Sequence, residues 1–210
     1  MMTNTTPSVL AELHVANFEQ PHFQFLNERD LLRSKLKSRK VHGLNGQLIH
    51  QILLSWLCDD SALPAYLGLG HRRFQALIKR HYPDLSTITW GRRARAINID
   101  RSEELADIAS LLKSFSNHRI PSEEITDFAD LIAAACLGDQ HLYRDLGLKH
   151  RSQLTQLMEH NFPTLFQKNI HNMKWKKFIY KQLCEQEGVY ICRSPSCKTC
   201  SDFDNCFGPE

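Results

Sequence analysis

Four cysteines crowd the end of this chain as Cys192-x4-Cys197-x2-Cys200-x5-Cys206, followed by Phe207-Gly208-Pro209-Glu210. A metal or cluster held by thiolates can close that stretch into a compact unit, and the spacing narrows which one. Zinc ribbons set two Cys-x2-Cys knuckles ~15–20 residues apart, whereas one such knuckle occurs here. The run Cys-x4-Cys-x2-Cys is the local spacing of plant-type iron–sulfur proteins, which place their fourth cysteine elsewhere. Here the fourth follows after five residues, so one loop can wrap a single cluster. The spacing favours an iron–sulfur site; structural zinc and disulfides or free thiols remain as the other readings.

Compartment bears on that choice. The N-terminus, Met1-Met2-Thr3-Asn4-Thr5-Thr6-Pro7, has neither the basic start nor the apolar core of a secretory signal. No stretch approaches ~18 continuous apolar residues, the length that spans a bilayer. The expectation is a soluble cytoplasmic protein with no membrane partner, and reduced cytosolic thiols read better as metal ligands than as disulfides. The total of seven cysteines is odd, which also argues against a simple disulfide framework. A net charge of +3 is too small to imply a nucleic-acid partner.

The remainder reads as all-α. Leu48, Ile49, Ile52, Leu53, Trp56 and Leu57 form an apolar stripe. Asp100-x-x-Glu103 resembles a capping box before Leu105, Ile108, Leu112 and Phe115. After Pro121 and Ser122, the acidic pair Glu123 and Glu124 suits a helix N-terminus, and Ile125, Phe128, Ala129, Ile132 and Cys136 continue one face up to Gly138. No alternating run is long enough for a sheet. Leu67-Gly68-Leu69-Gly70-His71-Arg72 matches Leu146-Gly147-Leu148-Lys149-His150-Arg151, and the match extends past Pro83 and Pro163. Two related helical hairpins are expected, with His71 and His150 serving their turns. The organisation expected is a variable polar segment over 1–44, a helical domain over 45–190 and a four-cysteine metal-cluster-binding tail over 191–210. Arg33, Lys35, Lys37, Arg39 and Lys40 in the first segment read as a solvated helix face or a docking surface.

Two further places can carry chemistry. Leading into the cysteines, Trp175, Ile179 and Leu183 recur every four residues and can bury one side of a helix, while Lys174, Lys177 and Lys181 share another. Those lysines are either a solvated face or a cationic surface for an anionic cluster, an oxyanion or an acidic partner. Cys58, Cys136 and Cys184 are read as packed thiols, with ligation by Cys184 the alternative. Around the break at Gly138, Asp139, His141 and Asp145 either cap backbone donors or contact a metal.

The segments Ala134-Ala135-Cys136-Leu137-Gly138-Asp139-Gln140-His141-Leu142-Tyr143-Arg144-Asp145-Leu146-Gly147-Leu148, Met173-Lys174-Trp175-Lys176-Lys177-Phe178 and Lys181-Gln182-Leu183-Cys184 closely resemble the NifQ family of nitrogen-fixation proteins. The tail from Cys192 to Glu210 looks like that family's signature, with all four cysteines in place. The resemblance implies a molybdenum-processing iron–sulfur carrier rather than an enzyme. Its cofactor would be an iron–sulfur cluster containing molybdenum, held by Cys192, Cys197, Cys200 and Cys206; the residues around the Gly138 break, not the resemblance, add His141 as a candidate metal contact. The implied partners are a molybdenum source, the nitrogenase cofactor-assembly scaffold and the nitrogenase iron protein. Soft thiolates suit such a cluster; a zinc-stapled helical interaction module is the rival reading.

Overall fold

The apolar stripes fold as helices in the computed structural model, which describes residues 20–88, 90, 101–188 and 203–207. Among the described residues the regular structure is entirely helical, as the periodicity predicts. Helix α1 (Gln20–Lys37) lies along α2 (Leu44–Leu57). Arg29 donates to the Leu57 carbonyl at 2.7 Å and pairs with Asp59 at 2.9 Å, so a cation satisfies the exposed carbonyl end of α2. The basic stretch is not wholly solvated. Leu32 and Leu36, four residues apart, are fully buried in the core, a stripe too narrow to stand out among the charges around it.

Helix α3 (His71–His81) leads to α4 (Ser102–Ser114), which pairs with α5 (Ser122–Cys136). The expected capping box rests on Asp100, which lies outside the described residues. Arg101 occupies the N-cap position of α4 without a side-chain cap, and its guanidinium pairs with Glu104. Helix α5 begins as expected, with Pro121 at the cap and Glu123 and Glu124 in the first turn. Phe128, Ala129, Leu131, Ile132, Ala133 and Ala135 bury it on nearly every side, which makes it the central helix.

The second half comprises α6 (Leu142–Asp145), α7 (Arg151–Asn161), α8 (Pro163–Lys168), α9 (Trp175–Gln186) and α10 (Phe203–Phe207). The two matching segments share local geometry. Gly68 and Gly147 both sit at φ +84°, and each precedes an eleven-residue helix followed by a short helix beginning at Pro83 or Pro163. Gly147 has a second constraint, since an added Cβ would lie 2.6 Å from Ser55 Cβ. Ser55 meanwhile donates to the Gly147 carbonyl at 2.6 Å, locking α6 onto α2. His150 caps α7, where Gln153 accepts the Lys149 and His150 amides at 2.8 and 3.3 Å. His71 opens α3, with its ring edge-on to Tyr66. No described helix is long and apolar enough to cross a membrane.

Candidate functional site

The site is built around the first turn of α9. Trp175 and Ile179 bury the face that the four-residue spacing marks, with Leu183 partly buried behind them. Lys174, at the N-cap position, faces the end of the chain. Its amide donates to the Cys206 carbonyl at 2.8 Å, and its ammonium donates to the Asp204 carbonyl at 2.9 Å. Helix α10 is therefore seated on the N-terminus of α9. Phe203 stacks on Phe207 at 4.6 Å, and Cys206 and Phe207 pack against the core. The Cys206 thiol is half-buried and free of a disulfide. Cys192, Cys197 and Cys200 lie outside the described residues. Over its 12 residues α9 is about 18 Å long, and Gly188 and Phe203, on either side of the undescribed stretch, lie at its opposite ends.

Two residues beyond Lys174, Lys176 turns the other way. Its ammonium donates to the Gly138 carbonyl at 2.8 Å and pairs with the buried carboxylate of Asp145. Asp145 also accepts the Gln140 amide at 3.1 Å, so the loop after α5 closes on the end of α6. Gly138 is required here for space. A Cβ would stand 2.4 to 2.6 Å from the Asp145 carboxyl atoms, whereas its φ is not among the positive ones. The glycine admits a carboxylate rather than forming a left-handed helix end.

Of the candidate metal contacts in this loop, Asp139 is exposed and Asp145 is committed to Lys176 and the Gln140 amide. His141 is half-buried at the N-cap position of α6, its ring stacked with Tyr143 at 6.2 Å. The loop also helps wall a polar cleft of about 690 Å³, which Ser55, Asp60, Ser61, Arg144 and Lys149 line as well. Among the described residues, no three His, Cys, Asp or Glu side chains form a metal set.

Beneath the loop, α9 is tied to α4. The Tyr180 hydroxyl donates to Glu104, whose carboxyl the Arg101 fork holds below the usual range with help from Tyr180. Burial, aided by Glu104, raises Tyr180 above the ordinary tyrosine range. Cys136 lies within electrostatic reach of Lys176, Glu104 and Asp145, and burial pushes its thiol up to about 12, so it stays protonated and inert. It is a packed thiol, as expected; Cys58 and Cys184 are half-buried.

Lys177 and Lys181 are exposed, and Lys181 reaches Glu185 at 3.7 Å. From Pro163 to Cys184 the chain carries five lysines and no acidic residue, although Lys176 pairs with Asp145 and Lys181 with Glu185. One buried donor there stands out. The indole nitrogen of Trp175, adjacent to the residue that seats Cys206, has no hydrogen-bond partner among the described residues. The half-buried free thiol of Cys206 is a soft donor of the kind that suits iron and sulfide. Sequence reasoning singled out Lys174, Lys177 and Lys181 but missed Lys176. The available signal was that Lys176 and Tyr180 form an i, i+4 line of their own.

A family model described as NifQ matches residues 48–208. The relative Protein NifQ of Azotobacter vinelandii is 43% identical over 160 residues, covering 71% of this chain and 81% of the relative. Protein NifQ of Klebsiella pneumoniae is 36% identical over 165 residues, covering 76% of this chain and 96% of the relative. No solved structure matches the chain.

Proposed function

This chain belongs to the NifQ family of nitrogen-fixation proteins, and from that premise we propose that it is a molybdenum-processing iron–sulfur carrier. It supplies molybdenum for the iron–molybdenum cofactor of nitrogenase and is a carrier, not a catalyst. The observation that carries this reading is the seating of Cys206. The last cysteine of the signature is held on the N-terminus of α9, two residues from the lysine that ties down the loop bearing Asp139 and His141.

In this reading Cys192, Cys197, Cys200 and Cys206 hold a molybdenum-containing iron–sulfur cluster as cargo, with soft thiolates matched to iron and sulfide. His141 offers a ring nitrogen to molybdenum. The related hairpins over 67–85 and 146–165 are the scaffold on which the last cysteine of the signature is seated. The cationic surface of Lys177 and Lys181 receives the acidic surface of a partner, either the cofactor-assembly scaffold or the nitrogenase iron protein.

The test is reconstitution of variants with iron, sulfide and molybdate. Cys197→Ala, Cys200→Ala and Cys206→Ala should each lose iron and sulfide while keeping helical circular dichroism. His141→Ala should keep iron and lose most of its molybdenum. Full iron and sulfide in all three cysteine variants would remove the reading.

A further inference from the structure

Lys176 and Asp145 do more than fill a hole in the core. The ammonium of Lys176 bridges a main-chain carbonyl of the loop, at Gly138, and the carboxylate that closes the same loop, at Asp145. The pair is secluded, with side-chain exposures of 18% and 4%. Asp145 holds the Gln140 amide as well, which places both neighbours of Asp139, Gly138 and Gln140, under one network. Lys176 stands one residue inside the turn whose N-cap amide, that of Lys174, holds the Cys206 carbonyl. A single helical turn thus grips the loop with one lysine and the chain terminus with the other.

We propose that the Lys176–Asp145 pair is a clasp that holds the Asp139–His141 loop and the Cys206-bearing end of the chain as one rigid unit. Both are positioning residues and neither touches cargo. The inference rests on the carrier reading for what the clasp is for, but not for its existence. Glycine at 138 follows from the clasp, because any side chain there would occupy the space of the Asp145 carboxyl. So does the direction of Lys176. A lysine whose task was surface charge would extend into water, as Lys177 does on the next position.

Coupling is the measurable content. If the clasp makes loop and terminus one unit, loosening the first loosens the second. Full-length metal-free protein carrying Lys176→Met keeps the aliphatic stem and removes the charge. Amide hydrogen exchange should then rise at least tenfold at Gln140, which reports the loop, and at Lys174, whose amide is the donor to Cys206. Phe74 and Leu77, in α3, should exchange as in wild type. Lys176→Arg should restore protection at both sites. Asp145→Ala, which removes the acceptor of both the Gln140 amide and the Lys176 ammonium, gives the same pattern by a second route should the methionine variant fold poorly. Unchanged exchange at Lys174 in a folded variant whose Gln140 amide is freed would overturn the clasp, because loop and terminus would then be held independently.

A second readout addresses purpose. After loading with iron, sulfide and molybdate, Lys176→Met should show a molybdenum-to-iron ratio reduced severalfold, and Lys176→Arg should regain it. An unchanged ratio in the methionine variant would overturn the positioning role. Should wild type itself bind iron and no molybdenum, the carrier reading fails, and the exchange pattern still decides whether the clasp exists.

Discussion

Replacing Gly138 with alanine should destabilise the protein by an amount set almost wholly by one displaced carboxylate. The backbone at Gly138 lies outside the left-handed region, so no dihedral strain enters. The added Cβ would sit 2.4 Å from Asp145 Cγ and 2.5 and 2.6 Å from its oxygens, so the carboxylate must swing away. It then gives up the Gln140 amide, a bond to a charged acceptor worth about 1.5 kcal/mol, and its pairing with Lys176. Removing a partner from a fully buried pair costs ~3–5 kcal/mol. Here both partners survive and Lys176 is 18% exposed, so it reaches water and the loss is smaller, about 1–2 kcal/mol. The total is about 3 kcal/mol, and at ~2–4 °C per kcal/mol for a domain of this size the melting temperature should drop by roughly 6–12 °C. Thermal and urea unfolding followed by circular dichroism measure it, with Gly188→Ala as control. Gly188 has φ +70° and nothing within 4 Å of an added Cβ, so only the backbone cost of about 1 kcal/mol applies. A Gly138→Ala protein within about 0.5 kcal/mol of wild type would refute the packing argument, because the carboxylate would then have somewhere else to go.

Other consequences are equally direct. Burial first, then Arg39, lowers the pKa of His50, and burial first, then Arg80, lowers that of His81, so both are neutral in the folded state at neutral pH. With folded values below the unfolded one, the unfolded chain takes up protons first as pH falls through the ordinary histidine range; stability should therefore be lower at pH 5.5 than at pH 7.5, and His50→Gln should reduce that difference in urea titrations. Native metal-free protein treated with a maleimide at pH 8 should be modified at Cys58 and Cys184 and spared at Cys136, whose thiol burial pushes up to about 12; peptide mass spectrometry before and after unfolding reads this. Lys177→Glu with Lys181→Glu should change stability by less than about 0.5 kcal/mol, since both residues are exposed, yet should weaken association with an acidic partner and flatten its salt dependence, as titration at two ionic strengths would show.

The helices were legible because periodicity reports burial directly. The α5 face of Ile125, Phe128, Ala129 and Ile132, the acidic first turn and the alternation of Trp175 with Ile179 all read correctly without coordinates. Leu32 and Leu36 escaped notice because two leucines among arginines and lysines fall below any periodicity threshold, and their burial depends on where α2 lies. Gly138 was visible as a break but not as a cradle, because its neighbour Asp145 comes to it through a folded loop and not through helical spacing. Lys176 was hidden by its own company. Lys174, Lys176 and Lys177 are chemically alike in the sequence, and a rotation of about 100° per residue decides which meets solvent, the chain terminus or a buried carboxylate. The cysteine spacing spoke to metal chemistry at once, whereas the seating of Cys206 by Lys174 is a long-range contact that no local pattern announces.

The measurement that bears most directly on the carrier assignment is the metal content of the intact protein, purified without oxygen from cells making nitrogenase. The account predicts iron and acid-labile sulfide together, visible absorption from thiolate-bound iron, and molybdenum that falls when His141 is replaced while iron stays. A colourless protein holding stoichiometric zinc, with no sulfide and no molybdenum, would contradict it and make the four cysteines a structural staple.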